Sequence, residues 1–473
     1  MRLTRFKKIH FTGIKGVGMT ALALCAKDLK IKISGSDLKE AFPTDKILKK
    51  KGIRVKTGFK AKNVPKNTDL LIYTGAHGGA TNVEVVAAKQ KNRPTLSHAE
   101  ALKLFCQDKK LIATAGVGGK STTAALIATV LTEGGLDPSF AVGVGDIPAL
   151  GAPGRFNQAS AYFVAEADEY VTDPNSDPTP RFHHLDPFIA VITNLEHDHP
   201  DVYPHLSDMF DAFATFVKAV PAAGLIVANV DNPRVAAWLK DIDGPKATYG
   251  FSPQADWQVT KVHLADQKQF FTLAHKGAVW PDFVLNLPGR YNVLNAAAAV
   301  VVAHHLGVKL NAIKAGVKKF SGTKRRFEFI GRAKRDILLY DDYAHHPTEI
   351  KALLRSAKDW FPGRRLIAVF QSHTFSRTKA LLTDFAKSFQ LADLVIINKI
   401  FASARETDDL GISGKILAQE VLKNHPQTFY CPGQKSTIRT LIDKAETGDI
   451  IFTIGAGDIF HWHKPILKAL NHA

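Results

Sequence analysis

Residues 111–131 read LIATAGVGGKSTTAALIATVL, an apolar run, a glycine turn and then Lys120, Ser121, Thr122 and Thr123 at the start of a helical stretch. Backbone amides from Gly116 through Gly118 and Gly119 can wrap phosphate oxygens, Lys120 can neutralise β and γ charges, and the Ser121 or Thr122 hydroxyl can reach a magnesium ion. The triphosphate of ATP is the guest this chemistry expects. The usual G-x-x-x-x-G-K-[ST] spacing would need glycine at position 114, where Thr114 stands. Downstream, VAEADEY carries Glu166, Asp168 and Glu169, and TNLEHDHPDVY carries Asp198 and His199, each just after an apolar run. Carboxylate oxygens suit magnesium, and one imidazole is acceptable to it.

A second glycine cluster lies in HFTGIKGVGMTALAL, where Gly13, Gly16 and Gly18 let the backbone approach a phosphate at a helix start. Asp37, closing the run KISGSD, is placed like a ribose-binding acid. The spacing is G-x-x-G-x-G rather than G-x-G-x-x-G, so three guests stay open at this point: a redox dinucleotide, the diphosphate of another nucleotide, or none, the turn being structural.

Short apolar runs must position these residues. KIHFTGI, KIKISGS, DLLIYTG, KLIATAG, AYFVAEA, FIAVITN, GLIVANV, RLIAVFQ, DLVIINK and DIIFTIG alternate with amphipathic stretches. Their β-branched content and length suit buried parallel strands, which predicts an α/β protein of stacked βα units. At 473 residues the chain exceeds one ordinary core. We place a first domain at 1–107, a second at 108–321 and a third at 322–473. The proline-rich TDPNSDPTP at 172–180 can be neither helix nor central strand and is expected as a surface loop of the second domain.

The net charge of +18 favours anionic partners. Its basic residues are scattered, without a long basic arm or interleaved aromatics, so nucleic acid is not expected as a partner. Cys25, Cys106 and Cys431 form no C-x-x-C pair and no disulfide framework, which fits a reducing compartment. With no signal-peptide core and no apolar run near the roughly 18 residues that span a bilayer, a cytoplasmic protein without membrane attachment is expected, as a monomer or weak homodimer.

The set GIKGVGM, SGSD, GVGGKSTT, EADEY, TNLEHDH, LPGRYNVLNAAAA, KRRFE, DDYAHHPTEI, FQSHTFSRT and GDIIFTIGAGDI, in that order along the chain, resembles the Mur ligase family of ATP-dependent amide ligases of peptidoglycan precursor synthesis. The resemblance covers essentially the whole length. It implies three domains: a Rossmann-like N-terminal domain for a UDP substrate, a P-loop ATPase-like central domain, and a Rossmann-like C-terminal domain for amino acid and nucleotide. The family holds the UDP of its substrate where Gly13, Gly16, Gly18 and Asp37 stand. Gly116, Gly118, Gly119, Lys120, Ser121 and Thr122 match its ATP loop, and Asn292 and Asn295 its adenine-contacting asparagines. Glu166 and His199, with Ser121, match its metal site. Arg326 matches an arginine that reaches the phosphates, Asp342 one that binds the nucleotide, and His345, His346 and Arg377 lie in segments facing the amino acid. Lys120, Arg326 and His199 are thereby implied in catalysis, and closure of the third domain is implied in the cycle.

The motifs are most similar to those of members that join L-alanine to UDP-N-acetylmuramate, with ATP and Mg2+ as cofactors. EADEY and RRFE are also similar to the member that attaches a recycled tripeptide to the same UDP sugar, and a catalytically impaired nucleotide-binding homologue is a further alternative. Three departures stand out: Gly118 replaces a histidine of the ATP loop, Tyr291 stands where histidine is usual, and Thr374 replaces an arginine. Lys120 is expected at a solvent-facing loop.

Overall fold

The computed structural model describes residues 3–199, 201–402, 406 and 408–472. Two compact units divide the chain, one formed by Met1–Asn286 with Asn292–Lys324, the other by Leu287–Tyr291 with Arg325–Ala473.

The first unit holds two main sheets. β1 (Lys8–Thr12), β2 (Lys32–Asp37), β3 (Val55–Thr57), β4 (Leu70–Tyr73) and β5 (Thr95–Ser97) are parallel in the order β3-β2-β1-β4-β5. Helices α1 (Val17–Asp28), α2 (Asp45–Lys50), α3 (Val83–Gln90) and α4 (His98–Cys106) alternate with them. The strand order reverses between β1 and β4, and a crevice beyond the carboxyl ends of the strands at such a point is where open α/β sheets bind ligands. The loop of Gly13 leaves the end of β1 there. Ser97 starts α4 with a capping box shared with Glu100, which fixes where that helix begins.

The second sheet is built from β6 (Lys110–Ala115), β7 (Ser139–Ala141), β8 (Gly154–Arg155) and β9 (Tyr162–Glu166), then β12 (Pro187–Ile192) and β13 (Leu225–Asn229) to β17, with the pair β10 (Val171–Asp173) and β11 (Asp177–Pro180) standing apart. Its order is β17-β16-β15-β14-β13-β12-β6-β9-β7-β8, with β14 at Lys246–Gly250, β15 at Trp257–Ala265, β16 at Lys268–His275 and β17 at Ala278–Leu285. The strands from β14 to β7 run parallel, and the central β13, β12, β6 and β9 are buried over most of their length, which is why their sequences are nearly continuous apolar runs. β15, β16 and β17 form an antiparallel extension. Helices α5 (Lys120–Glu133), α6 (Leu206–Lys218), α7 (Pro233–Trp238), α8 (Arg290–His305) and α9 (Leu310–Lys319) complete this part, and α5 is buried from Ser121 to Leu131, as its small and apolar residues allow.

The second unit carries β18 (Glu328–Arg332), β19 (Leu338–Asp342), β20 (Leu366–Phe370), β21 (Leu394–Ile397), β22 (Thr428–Tyr430) and β23 (Ile450–Ile454) in the order β18-β19-β23-β20-β21-β22, parallel except for β18. Phe370, Phe385 and Phe389 are fully buried on one side of this sheet, where truncation of one ring would cost about 3–5 kcal/mol. Helix α10 (Pro347–Trp360) begins with proline at its first turn behind His346 as N-cap.

All ten expected strands are present. The expected loop at 172–180 is instead most of a two-stranded antiparallel hairpin: β10 precedes its prolines, Pro178 and Pro180 lie on the short β11, and Thr172 and Asp173 are buried. A two-stranded ribbon has only edge strands, so its prolines need not interrupt a ladder. Among the described residues no helix is long and apolar enough to cross a membrane.

Candidate active site

The glycine turn of the first unit's second sheet leaves β6 and enters α5. Gly119 has φ +83°, and a Cβ added there would come within 2.8 Å of Asn295 Oδ1, so glycine is required both by conformation and by space. Lys120 is the first residue of α5, where unsatisfied backbone amides and the helix dipole favour an anion. Thr193 Oγ1 donates to the carbonyl of Gly118 at 2.6 Å, and the Gly118 amide donates to Asn194 Oδ1 at 2.9 Å. Thr193 and Asn194, which sequence reasoning did not single out, therefore brace the turn. Their signal is the position immediately after the apolar run of β12.

Lys120 is not on a solvent-facing loop as expected: its side chain is 17 % exposed, and Nζ lies 2.9 Å from each carboxylate oxygen of Glu169 and 2.7 Å from the Gly116 carbonyl. Burial disfavours the ammonium, but Glu169, Asp168 and Glu166 outweigh it and hold Lys120 above the usual lysine range. Burial, with the neighbouring Asp168 charge, pushes Glu169 up to about 7 against the pull of Lys120. Asp168 pairs with Arg181 at 2.6 Å; burial opposes its charge, yet Arg181, Lys120 and His199 keep it below the ordinary carboxylate range. Solvent reaches 36 % of the Asp168 side chain and screens that pairing.

Glu166 ends β9 and accepts from the Gly143 amide at 2.5 Å, while burial raises its carboxyl and a Ser121 hydrogen bond opposes the rise. This hydroxyl and carboxylate are hard oxygen donors beside the helix start, and magnesium, which keeps water and substrate phosphate in its shell, needs no complete protein cage. Ser121 and Glu166 fit such an ion. His199 lies beside the same carboxylates, with Nε2 3.7 Å from Asp198 and 3.9 Å from Glu169 and the ring 4.7 Å from that of Tyr170. Among the described residues no three His, Cys, Asp or Glu side chains group as metal ligands. Thr122 is buried within the first turn of α5. Asn292 and Asn295 are buried and bonded to each other at 3.2 Å, and Asn295 Oδ1 accepts from Thr123 Oγ1 at 3.1 Å at the base of the same turn.

At the first sheet, Gly13 has φ +82° and packs against Thr74, and Gly16 caps α1. Gly18 lies under the His98 ring, where a Cβ would come within 2.6 Å of Nε2. Asp37 is buried with its oxygens accepting from the Lys15 and Leu38 amides, each at 2.7 Å. Its carboxylate holds the glycine loop in shape, a role the sequence did not separate from ribose contact.

In the second unit, Arg325 is pinned inside by Asp341 at 3.0 Å and by the Gly455 carbonyl at 2.5 Å. Arg326, with 27 % of its side chain exposed, lies over the Tyr343 ring at 5.0 Å and 4.0 Å from Glu349. Asp342 accepts from the Phe327 and Ala344 amides, and burial pushes its carboxyl up to about 6 against the Arg326 charge. His345 Nδ1 lies 3.0 Å from the Tyr343 carbonyl, and His346 caps α10. Arg377 is buried and donates from Nη1 to the His373 carbonyl at 2.8 Å.

Two glycine turns at helix starts in one unit, one of them with a lysine among buried carboxylates, fit a phosphate-activating enzyme acting on a second phosphorylated substrate. Comparison with known proteins agrees. Residues 8–110 match the model of the Mur ligase family catalytic domain, 115–303 that of the Mur ligase middle domain, and 325–457 that of the Mur ligase glutamate ligase domain. The UDP-N-acetylmuramate--L-alanine ligase of Desulfitobacterium hafniense is 38 % identical over 96 % of this chain and 97 % of its own. The solved UDP-N-acetylmuramate-alanine ligase of Thermotoga maritima superposes with a TM-score of 0.80 at 25 % identity, covering 98 % of each chain. A murein peptide ligase of Psychrobacter arcticus superposes with a TM-score of 0.73, also at 25 % identity and over 99 % of each chain.

Proposed function

The chain belongs to the Mur ligase family, and on that premise we propose that it joins L-alanine to the carboxylate of UDP-N-acetylmuramate with ATP, a step of peptidoglycan precursor synthesis. The observation that carries this is the Lys120 turn at the start of α5, set among Glu166, Asp168 and Glu169 in the same unit as the Gly13 turn.

A carboxylate and an amine do not condense unaided in water. The muramoyl carboxylate oxygen attacks the γ-phosphorus of ATP, its bond to ADP breaks, and an acyl phosphate forms. The amine of L-alanine, once neutral, attacks the acyl carbon; the tetrahedral intermediate collapses with loss of phosphate and of a proton, leaving the amide. Lys120 releases Glu169 and donates to phosphate oxygens as charge develops on them, and the amides of Gly118, Gly119 and Lys120 cradle the rest. Ser121 and Glu166 would hold magnesium, which supplies charge neutralisation at the phosphates when bound. Gly13, Gly16 and Gly18 hold the UDP diphosphate at the start of α1, with Asp37 shaping that loop. Asn292 and Asn295 line the adenine, His199 orients the carboxylate cluster, Arg326 and Asp342 bind nucleotide, and His345, His346 and Arg377 receive the amino acid. The three working domains of this scheme are 1–107, 108–321 and 322–473. The buried free cysteines and the nucleotide substrates fit a cytoplasmic enzyme, acting as a monomer or weak homodimer.

The likeness to a murein peptide ligase favours one second reading, a tripeptide in place of L-alanine as acceptor. A panel of amino acids and the tripeptide, each incubated with UDP-N-acetylmuramate and ATP and analysed by product mass, tests both. Product with L-alanine together with stoichiometric ADP and phosphate is expected; product with the tripeptide alone would replace this acceptor.

A further inference from the structure

The hairpin of β10 and β11 begins five residues after Glu166 and two after Glu169, and it leans on the first sheet's loop. Asp173 is buried, and its Oδ2 accepts from the Ala80 amide at 2.8 Å and from Ser176 Oγ at 2.8 Å, while Oδ1 accepts from the Asn175 amide at 3.0 Å. The fit is close on both sides. A Cβ at Gly75 would come within 2.5 Å of the Thr172 carbonyl oxygen, and one at Gly79 would fall inside the Asp173 carboxylate. Thr74, which precedes Gly75, is the residue packed against Gly13.

The other end of the hairpin is tied to the carboxylate segment that holds Lys120. Arg181 donates from Nη1 to Asp168 at 2.6 Å and from Nε to the Val171 carbonyl at 3.1 Å, and the Arg181 amide bonds the Tyr170 carbonyl at 2.9 Å. Glu169, the partner of Lys120, has its own carbonyl held by the Tyr203 hydroxyl at 2.6 Å. From Glu169 to Asp173 the backbone thus runs from the partner of Lys120 to the loop after β4, whose Thr74 packs against Gly13.

Resting on the ligase function above, we propose that this hairpin is a strut that sets the spacing between the two phosphate turns, with Asp173 as the positioning residue that locks it to the Ala80 amide. A substrate whose diphosphate sits at the Gly13 turn must bring its carboxylate in line with a γ-phosphate at the Lys120 turn. In-line attack depends steeply on spacing, and a misplacement near 1 Å costs about a hundredfold in rate. Asp173 touches neither reacting group, so its loss affects alignment and leaves each turn intact.

The experiment compares wild type, Asp173→Ala, Asp173→Asn and Gly79→Ala in the full chain. Steady-state turnover of UDP-N-acetylmuramate, ATP and L-alanine is measured alongside dissociation constants for UDP-N-acetylmuramate alone and for ATP alone, and the folded fraction is taken from thermal melts. Asp173→Ala is expected to lose about tenfold to a hundredfold in kcat while both dissociation constants stay within about twofold. Asp173→Asn, which keeps an oxygen for the Ala80 amide, should restore most of the rate. Gly79→Ala displaces the carboxylate without altering it and should reproduce the loss, which covers the case of an unfolded Asp173→Ala. Unchanged kcat in folded variants overturns the strut. So does a loss explained wholly by weaker binding of UDP-N-acetylmuramate or by a smaller folded fraction. A wild type that turns over neither L-alanine nor the tripeptide sinks the ligase function, and the strut with it; an active wild type with equally active variants sinks the strut alone.

Discussion

Lys120 Nζ sits 2.9 Å from both carboxylate oxygens of Glu169, inside the turn that is to receive the triphosphate. Removing one member of a buried pair leaves the other charge without compensation and costs about 3 kcal/mol or more. Lys120→Ala is therefore expected to lower the melting temperature as well as to remove about a hundredfold or more of the activity. Adding Glu169→Gln should return much of the melting temperature and none of the turnover. Thermal melts with initial rates separate the two roles; recovery of rate in the double variant would show that Lys120 does not act on phosphate.

His98 gives a prediction in pH. Burial, helped by the nearby Arg181 charge and opposed by Asp168, holds its imidazole down at about 4 against an ordinary 6.5. The folded protein then binds fewer protons than the unfolded chain between these values, so this contribution is complete above pH 6.5 and is lost as pH falls toward 4. His98→Gln should flatten that acid limb of melting temperature against pH. Glu84, held down to about 2 in a web of hydrogen bonds led by His10 and Ser36, titrates lower, whereas Glu169 at about 7 and Asp342 at about 6 take up protons within this window and oppose the loss, so the difference between wild type and variant is what reads His98. An unaltered limb in His98→Gln would assign the acid loss to other groups.

The ten buried strands are legible in the sequence because a strand covered on both faces must be apolar throughout, as LIVAN of β13 is. The edge pieces are not. WQVTKVHLA of β15 mixes buried and exposed positions and carries no continuous run, and the prolines of 172–180 look like loop because single residues do not reveal that a ribbon has a docking partner. The site divides in the same way. Lys120, Ser121 and Glu166 are visible because their types announce phosphate and metal chemistry. The burial of Lys120 by Glu169, the shaping role of Asp37 and the bracing by Thr193 and Asn194 depend on contacts between segments far apart in the chain, such as Gly118 with Asn194.

Glu166→Gln keeps the size of the side chain and an oxygen for the Gly143 amide, and it removes the charge that a divalent cation would meet beside Ser121. The magnesium concentration for half-maximal activity should rise about tenfold or more, with the melting temperature in the absence of metal nearly unchanged or raised, since the buried carboxylate is itself unfavourable. A magnesium titration of both proteins decides it. An unshifted midpoint would move the ion to Asp168, Glu169 or His199.

The last prediction concerns L-alanine. Arg377 lies in helix α11 (Phe375–Ala380), three residues after Thr374, and already spends one nitrogen on the His373 carbonyl. A guanidinium so anchored keeps its plane fixed, and a fixed plane is what a bidentate bond to an α-carboxylate needs. With a single arginine in this segment, more of the carboxylate binding falls to it. Lysine preserves the charge but has neither the fork nor a second nitrogen to hold the carbonyl. Arg377→Lys is expected to raise the KM for L-alanine about tenfold while the KM for ATP stays within about twofold. Glycine and serine should also serve as acceptors of the wild type at reduced kcat/KM, because a pocket for one methyl group discriminates by only about 1–3 kcal/mol. Initial rates over a grid of L-alanine and ATP concentrations measure both constants at once. A loss of ATP affinity with unchanged L-alanine KM would assign Arg377 to the nucleotide, and a parallel fall in both with a lower melting temperature would leave it only the task of bracing the turn at His373.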